Sequence, residues 1–210
     1  MLQWTTIQQP AYNVSLYIPD ATRVQETFAQ QKAADAAAPL PYWAKLWPAA
    51  LAMGSFITEH PEYVQGKHVL ELAAGLGLPS LVAAPLAGRV VCSDYLPEAV
   101  DTLALSVQRN QFSNVDCQLL NWHYLPENLT ADTLIMSDIN YDTAEFEQLY
   151  IVLEKFIQAG TTILLSTPQR LMGKPFIERI SQWVTVCAET AVTHQSATTF
   201  ISVFALKMKY

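Results

Sequence analysis

The stretch VLELAAGLGLPSLVAA, residues 69–84, decides the fold class of this chain. It begins as a short apolar strand, passes through a turn of small residues that contains Gly75 and Gly77, and continues with the apolar spacing of a helix. The two glycines allow either tight packing between strand and helix or close approach of a ligand to the backbone. An isolated G-x-G pattern does not distinguish these interpretations.

The rest of the chain repeats this alternation from about Gly66 onward. The apolar runs that predict strands are HVLELA, RVVCSD, VDCQLL, DTLIMSD and TTILLST. Longer amphipathic runs between them predict helices, so we expect an α/β protein with a mostly parallel sheet and helices on both faces. The last two strands, around VTVCAETAV and TFISVFALKMK, leave no room for a crossover helix and predict a C-terminal antiparallel hairpin.

The N-terminal part of the chain has a different pattern. We predict a helical cap over residues 1–65, with helices in TRVQETFAQQKAADAAA and AALAMGSFITEH, packed on a core formed by residues 66–210. With 210 residues, one compact domain overall is expected. Pro85 lies inside the first predicted crossover helix, where it should remove one hydrogen bond and kink the helix.

Composition excludes several classes of protein. A formal net charge of −7 disfavours a nucleic-acid binder, which needs clustered Lys and Arg. Neither a signal peptide nor a membrane span is visible, which predicts a cytoplasmic protein with no membrane partner. Cys92, Cys117 and Cys187 are widely spaced and the histidines lack ligand spacing, so we predict reduced thiols and no metal site.

Two carboxylates flank the glycine turn. Glu71 lies in an otherwise apolar strand, where a buried acid needs a hydrogen-bond donor. Asp94 ends the next strand, where it can accept hydrogen bonds from a ribose diol or cap the helix that begins near Pro97. Ser80 stands where a dinucleotide-binding fingerprint has its last Gly or Ala, which places a nicotinamide-dependent oxidoreductase below the other candidates.

Taken together, the two acids and the G-x-G turn resemble the class I S-adenosylmethionine-dependent methyltransferases, which have a Rossmann-like sheet of seven strands. The resemblance narrows to the lysine methyltransferase group called methyltransferase family 16. Five ordered blocks over roughly residues 40 to 170 carry it: YWAKLWPAALAMGSFI, VLELAAGLGLPSLVAA, VVCSDYLPEAV, LLNWHYLP and ADTLIMSDINYD. It implies S-adenosylmethionine as cofactor, S-adenosylhomocysteine as product, and a protein lysine as methyl acceptor.

The resemblance also implies which residues form the site. The implied cofactor-binding residues are Trp47, Glu71, Ala73, Ala74, Gly75, Gly77, Asp94, Trp122 and Ser137. Among them, Asp94 would hold the ribose hydroxyls, Trp122 would flank the adenine, and Ser137 would lie near the methionine end. Core packing is the alternative for each tryptophan. Ala73 and Asn121 depart from the family pattern, since a glycine and an acid are usual at these two positions.

Asp138 and Tyr141, in SDINYD, match the family's acid-x-x-aromatic motif beside the transferred methyl group. The alternative is a helix cap and an ordinary core tyrosine. Methyl transfer from a sulfonium mainly requires alignment and exclusion of water. We therefore expect Asp138 to orient the acceptor ammonium, Tyr141 to contain it, and its proton to leave through water.

Two other functions remain open at this point. One is a small-molecule N-methyltransferase on the same fold, whose partner would be a small amine, since fold and cofactor do not specify the acceptor. The other is a non-catalytic protein that binds the cofactor or a partner. An open acidic groove at the site favours a protein acceptor, whereas a closed pocket favours a metabolite.

Overall fold

The computed structural model describes residues 1–209. Its strands are β1 (Leu2–Gln8), β2 (Asn13–Pro19), β3 (His68–Glu71), β4 (Arg89–Asp94), β5 (Val115–Leu119), β6 (Thr133–Ser137), β7 (Thr162–Pro168), β8 (Val184–His194) and β9 (Ala197–Leu206). Its α-helices are α1 (Ala21–Ala34), α2 (Pro48–Glu59), α3 (Leu78–Ala83), α4 (Pro97–Asn110), α5 (Phe146–Gln158) and α6 (Lys174–Ile180). Within residues 1–209, no helix combines the length and hydropathy that a membrane crossing needs.

Seven strands of residues 1–209 form the main sheet, in the order β5-β4-β3-β6-β7-β9-β8. The first five strands in this order pair in parallel. Strand β9 enters antiparallel between β7 and β8, because the β8–β9 connection is too short for a crossover helix. The predicted α/β sheet with a C-terminal antiparallel hairpin is confirmed.

Helices cover both faces of the sheet, as predicted. Along β6, Ile135 packs with α2 and α3 on one face, whereas Leu134 and Met136 pack with α5 and α6 on the other. This alternation follows from the two-residue period of a strand. The amphipathic run between DTLIMSD and TTILLST forms α5, where Leu149, Leu153, Phe156 and Ile157 are buried.

The N-terminal segment contains a β-hairpin that sequence analysis did not predict. Strands β1 and β2 pair antiparallel, and Leu16 of β2 is fully buried. The hairpin is fixed to α4, since the Tyr17 amide donates to Ser106 Oγ at 3.0 Å and Arg109 donates to the Tyr17 hydroxyl at 2.7 Å. The two predicted helices are present as α1 and α2, and α2 packs on the sheet itself. The domain division at residue 65 stays a prediction.

The prediction of a kinked crossover helix at Pro85 is wrong. Helix α3 ends at Ala83, two residues before this proline. Ala84 still has helical backbone angles, with φ of −51° and ψ of −44°, but Pro85 has no N–H to donate to the carbonyl four residues earlier, so the helical hydrogen bonds are interrupted there. The chain then returns directly to β4, so the first crossover of the sheet contains less than two turns of helix.

Side chains of β4 and α4 pack closely against the turn between β3 and α3. Gly77 has a φ of 69°, in the left-handed region that favours glycine. A Cβ at this position would overlap Leu103 Cδ2 of α4 and would lie 3.0 Å from Cys92 Sγ of β4. Packing between the turn, the sheet and α4 is therefore sufficient to explain why glycine occupies residue 77.

Replacing Gly77 with alanine, beside a matched control, separates the cost of the left-handed backbone from the cost of overpacking. We expect Gly77→Ala to lower the free energy of unfolding by at least about 2 kcal/mol, because it adds overpacking to the left-handed backbone cost. Gly66→Ala is the matched control, since Gly66 has a φ of 70° and open space around its Cβ position. It should lose only about 1 kcal/mol in urea unfolding. Equal losses in the two variants would contradict the packing explanation.

Candidate active site

A cavity of about 300 Å³ lies at the carboxyl edge of the parallel strands. Ligands collect at this edge in open α/β sheets, and the volume falls within the range of small-molecule sites. Ten of the eleven residues singled out from the sequence line it: Trp47, Ala73, Ala74, Gly75, Gly77, Asp94, Trp122, Ser137, Asp138 and Tyr141. The fold thus brings together side chains that lie up to 94 positions apart (141 − 47).

The floor of the cavity is the backbone of the turn after β3. Ala73 and Gly75 both have left-handed backbones, with φ of 54° and 56°. For Ala73 this conformation costs about 1 to 2 kcal/mol, whereas the glycine usual in the family would adopt it without that penalty. The Ala74 amide donates to the Ser93 carbonyl at 2.9 Å, which ties the turn to β4. The turn therefore presents bare backbone and small side chains to the cavity.

Asp94 closes one side of the turn. Its Oδ2 accepts from the Gly75 amide at 2.9 Å, and its Oδ1 accepts from the Leu96 amide at 3.1 Å. Burial of the side chain raises the pKa of Asp94, and the backbone hydrogen bonds oppose this rise. Each carboxylate oxygen has a further acceptor position, so the local cap and a bond to a ligand hydroxyl are compatible.

Glu71 occupies a different position from the one predicted. It is 1% exposed and lies beneath the turn, outside the cavity lining. Its Oε2 accepts from the Ser80 amide at 3.0 Å and from the Ser80 hydroxyl at 2.5 Å, while Oε1 is buried without a partner. The predicted direct cofactor contact is therefore replaced by a supporting role: Glu71 holds the start of α3 against β3.

Trp122 lies at the end of the cavity next to the residues that follow β4. Its indole Nε1 donates to Glu145 Oε2 at 3.0 Å, and its carbonyl accepts from Gln148 Nε2 at 2.9 Å. His123 Nε2 lies 2.9 Å from the same Glu145 oxygen. These bonds fix the position of Trp122, whose indole lies in a residue that lines the cavity.

Asp138 lies at the opposite end, after β6, and its carboxylate is paired. Arg170 donates from Nη1 to Oδ1 at 2.6 Å and from Nη2 to Oδ2 at 3.1 Å. The Asp138 side chain is 6% exposed and that of Arg170 is 34% exposed. A φ of 56° at Asp138 turns this residue out of the strand direction. Both oxygens of the carboxylate that we expect to orient the acceptor ammonium therefore already accept from Arg170 in this structure.

Aromatic rings form the wall beside this ion pair. The Tyr141 and Tyr42 ring centroids lie 5.2 Å apart in an edge-to-face arrangement. Trp47 Nε1 donates to the Tyr42 carbonyl at 2.9 Å, and Lys45 Nζ lies 4.5 Å from the centroid of the Trp47 ring. Burial raises the pKa of Tyr141 to about 12, so its hydroxyl stays protonated at neutral pH.

Sequence analysis missed several residues of the site: Tyr42, Lys45, Glu145 and Arg170. Arg170 comes two residues after the end of β7, so a survey of the charged residues that follow each parallel strand would have found it. Glu145 carries no such signal, because its partner Trp122 is 23 positions away. Within residues 1–209, no group of three or more His, Cys, Asp or Glu side chains could hold a metal ion.

A family model described as lysine methyltransferase matches residues 40–183. Among similar proteins, the histone-arginine methyltransferase METTL23 of Mus musculus is 27% identical over 124 residues, which cover 54% of this chain and 49% of that protein. The electron transfer flavoprotein beta subunit lysine methyltransferase of Homo sapiens is 29% identical over 133 residues, 62% of this chain and 50% of that protein. The chain thus matches about half the length of these relatives.

Solved structures share the fold at low sequence identity. The 16S rRNA N2 G1207 methyltransferase of T. thermophilus, in complex with AdoMet and guanosine, has a TM-score of 0.65 and 16% identity. The match covers 99% of this chain and 51% of that chain. The N-methyltransferase NodS of Bradyrhizobium japonicum, in complex with S-adenosylhomocysteine, has a TM-score of 0.61 and 12% identity. The match covers 84% of this chain and 97% of that chain.

The buried acid beneath the turn makes stability depend on pH. Burial raises the pKa of Glu71 from 4.5 to about 8, so the folded state retains a proton that the unfolded state has released between these values. Stability should therefore fall as pH rises through this window, by up to about 1.4 kcal/mol per pH unit.

Urea unfolding at pH 5, 6, 7 and 8 measures this dependence. Glu71→Gln should remove most of the fall, because glutamine does not titrate. The exposed Glu127 offers a matched control, and Glu127→Gln should leave the wild-type pH dependence intact. An identical pH dependence in Glu71→Gln and wild type would show that Glu71 is charged in the folded state.

Proposed function

The chain belongs to the lysine methyltransferase family, and from this premise we propose that it transfers a methyl group from S-adenosylmethionine to the side-chain nitrogen of a protein lysine. One observation carries the proposal. A single cavity joins Asp94 and Trp122 at one end to Asp138 and Tyr141 at the other. A nucleoside and an acceptor nitrogen can therefore be held in one space, which is what a direct transfer between them requires.

The residues of the first end fit the cofactor. The Asp94 carboxylate retains acceptor positions for the two ribose hydroxyls, and the fixed Trp122 ring offers a flat apolar surface for adenine. The small residues of the turn, including Ala74 and Gly75, allow close approach of the methionine portion. When bound, S-adenosylmethionine supplies a methyl group on a positively charged sulfur, which leaves as the neutral thioether.

The second end suits an amine acceptor. Tyr42, Trp47 and Tyr141 surround it with aromatic rings that exclude water and can pack along an aliphatic side chain. A lysine amine has a pKa of about 10.4 and must lose a proton before its lone pair can form the nitrogen–carbon bond. That proton passes to water. The site needs positioning groups, and no general-base dyad or triad is required.

The surroundings of the cavity support a macromolecular acceptor. Tyr42, Tyr141 and Met172 line the cavity and are each at least 40% exposed, as is Leu40 beside them. An exposed apolar rim of this kind is typical of a protein interaction site, whereas a metabolite site is usually enclosed. The relatives named for a histone and for a flavoprotein subunit support the same class of acceptor. A cytoplasmic location stays a prediction from the sequence.

Cofactor binding provides the first test. Asp94→Asn should weaken binding of S-adenosylhomocysteine by about 10- to 100-fold in isothermal titration calorimetry, because hydrogen bonds to a charged acceptor are lost. Asp116→Asn, on the exposed side of β5, is the control and should bind like wild type. Thermal unfolding of each variant checks that the turn is intact. Unchanged affinity in a folded Asp94→Asn protein would remove the ribose assignment.

Methyl transfer provides the second test. Asp138→Asn should bind S-adenosylhomocysteine within about threefold of wild type yet lose about 100-fold or more of tritiated methyl transfer into lysate proteins. The reason is that the bidentate pair that holds residue 138 and Arg170 in place beside the acceptor nitrogen is lost. Asp101→Asn, on the exposed face of α4, should keep full activity. A fully active Asp138→Asn enzyme would disprove the catalytic assignment.

A further inference from the structure

We propose that Arg170 is a positioning residue of the acceptor site that acts through Asp138: its guanidinium compensates the Asp138 charge, so that the acceptor nitrogen is bound as a neutral amine. The inference rests on the proposed function, because it concerns the acceptor of that reaction. It addresses how the acceptor loses its proton in a site that contains a carboxylate beside the reacting nitrogen.

The geometry of the Asp138–Arg170 ion pair determines which charged group is exposed to the acceptor nitrogen. Both Asp138 oxygens accept from Arg170, at 2.6 and 3.1 Å, in the fork arrangement that makes such pairs strong. The Asp138 side chain is 6% exposed and the Arg170 side chain is 34% exposed, and both residues line the cavity. Of the two charged partners in the cavity lining, the cation is therefore the more exposed to an incoming nitrogen.

The other titratable groups that line the cavity do not add a free negative charge at the acceptor end. They come from the segment before α2 and from the residues that follow β4 and β6: Tyr42, Lys45, Asp94, Tyr95 and Tyr141. Lys45 adds a second cation, beside the Trp47 ring. Asp94 is engaged with backbone amides at the opposite end. Burial raises the pKa of the Tyr141 hydroxyl, and the nearby Glu145 and Asp142 raise it further, so this hydroxyl stays neutral.

An unpaired carboxylate would work against the reaction. A charge of opposite sign within about 4 to 6 Å stabilises the charged form of an amine and raises its pKa by about 1 to 3. At neutral pH this lowers the fraction of reactive amine by about ten-fold or more. A guanidinium held on the same carboxylate cancels most of this effect, so the aromatic wall can retain the uncharged amine.

A different role for Arg170 makes the opposite kinetic prediction. If its guanidinium only occupied the place of the acceptor ammonium, a substrate would have to displace it from Asp138. Removing Arg170 would then speed methyl transfer. The partly buried bidentate pair favours compensation, since displacement would break two charge-assisted hydrogen bonds at once.

Binding of n-butylamine, a mimic of the lysine side chain, tests the proposal without any catalytic turnover. At pH 7, where this probe is an ammonium ion, Arg170→Gln should bind it at least ten-fold more tightly than wild type by NMR titration. Arg170→Lys keeps the positive charge and should bind it as weakly as wild type. The Asp138→Asn/Arg170→Gln double variant, which has neither charge, should also bind weakly. Equal binding by Arg170→Gln and wild type would overturn the proposal.

The rate of tritiated methyl transfer into one lysate preparation, measured from pH 6.5 to 10, gives the second readout. The ratio of the Arg170→Gln rate to the wild-type rate should be about 0.1 or lower at pH 7 and should rise towards one as pH increases. Arg170→Lys should keep the wild-type pH profile. A ratio that is constant with pH, or one above one at pH 7, would overturn the proposal.

The two readouts separate this proposal from the proposed function. If wild type transfers no methyl group and does not bind S-adenosylhomocysteine, the proposed function fails, while n-butylamine binding still reports on charge compensation. If wild type is active and binds the product normally, but n-butylamine binding is the same in Arg170→Gln as in wild type, only the role of Arg170 fails.

Discussion

The structure depends on two acidic side chains that hold the turn after β3 in a strained shape. Asp94 accepts from the Gly75 amide at the side of the turn, and Glu71 accepts from both donors of Ser80 beneath it. A left-handed alanine at residue 73 persists because these bonds fix the backbone on either side. Without these hydrogen bonds, nothing would hold the backbone of the turn in the conformation that forms the floor of the cavity.

The glycines of this turn have a simpler explanation than ligand binding alone. Leu103 and Cys92 fill the space beneath Gly77, and the Trp43 carbonyl would lie 3.2 Å from a Cβ on Gly75. Compact packing and access for a ligand are therefore both consequences of one backbone path. The pattern of residues could not distinguish them, because each demands a small residue with a left-handed backbone.

Local patterns in the sequence predict most of the fold, since the alternation of apolar runs fixes which segments are strands and which are helices. The β1–β2 hairpin is not predicted, although LQWTTIQ and NVSLYIP have the residue types of strands, because polar and apolar residues do not alternate strictly in either segment and most of the side chains are only partly buried. The family resemblance identified ten cavity residues. It could not reveal that Arg170 occupies both oxygens of Asp138, because that contact joins two strand ends 32 residues apart.

The central claim is that the cavity at the carboxyl edge of the sheet holds a nucleoside cofactor beside an acceptor site. A crystal structure of the protein grown with S-adenosylhomocysteine tests it most directly. We expect the ligand in this cavity, with its ribose hydroxyls within hydrogen-bond distance of the Asp94 carboxylate and its adenine against Trp122. A ligand bound elsewhere, or an Asp94 carboxylate turned away from the ribose, would contradict it.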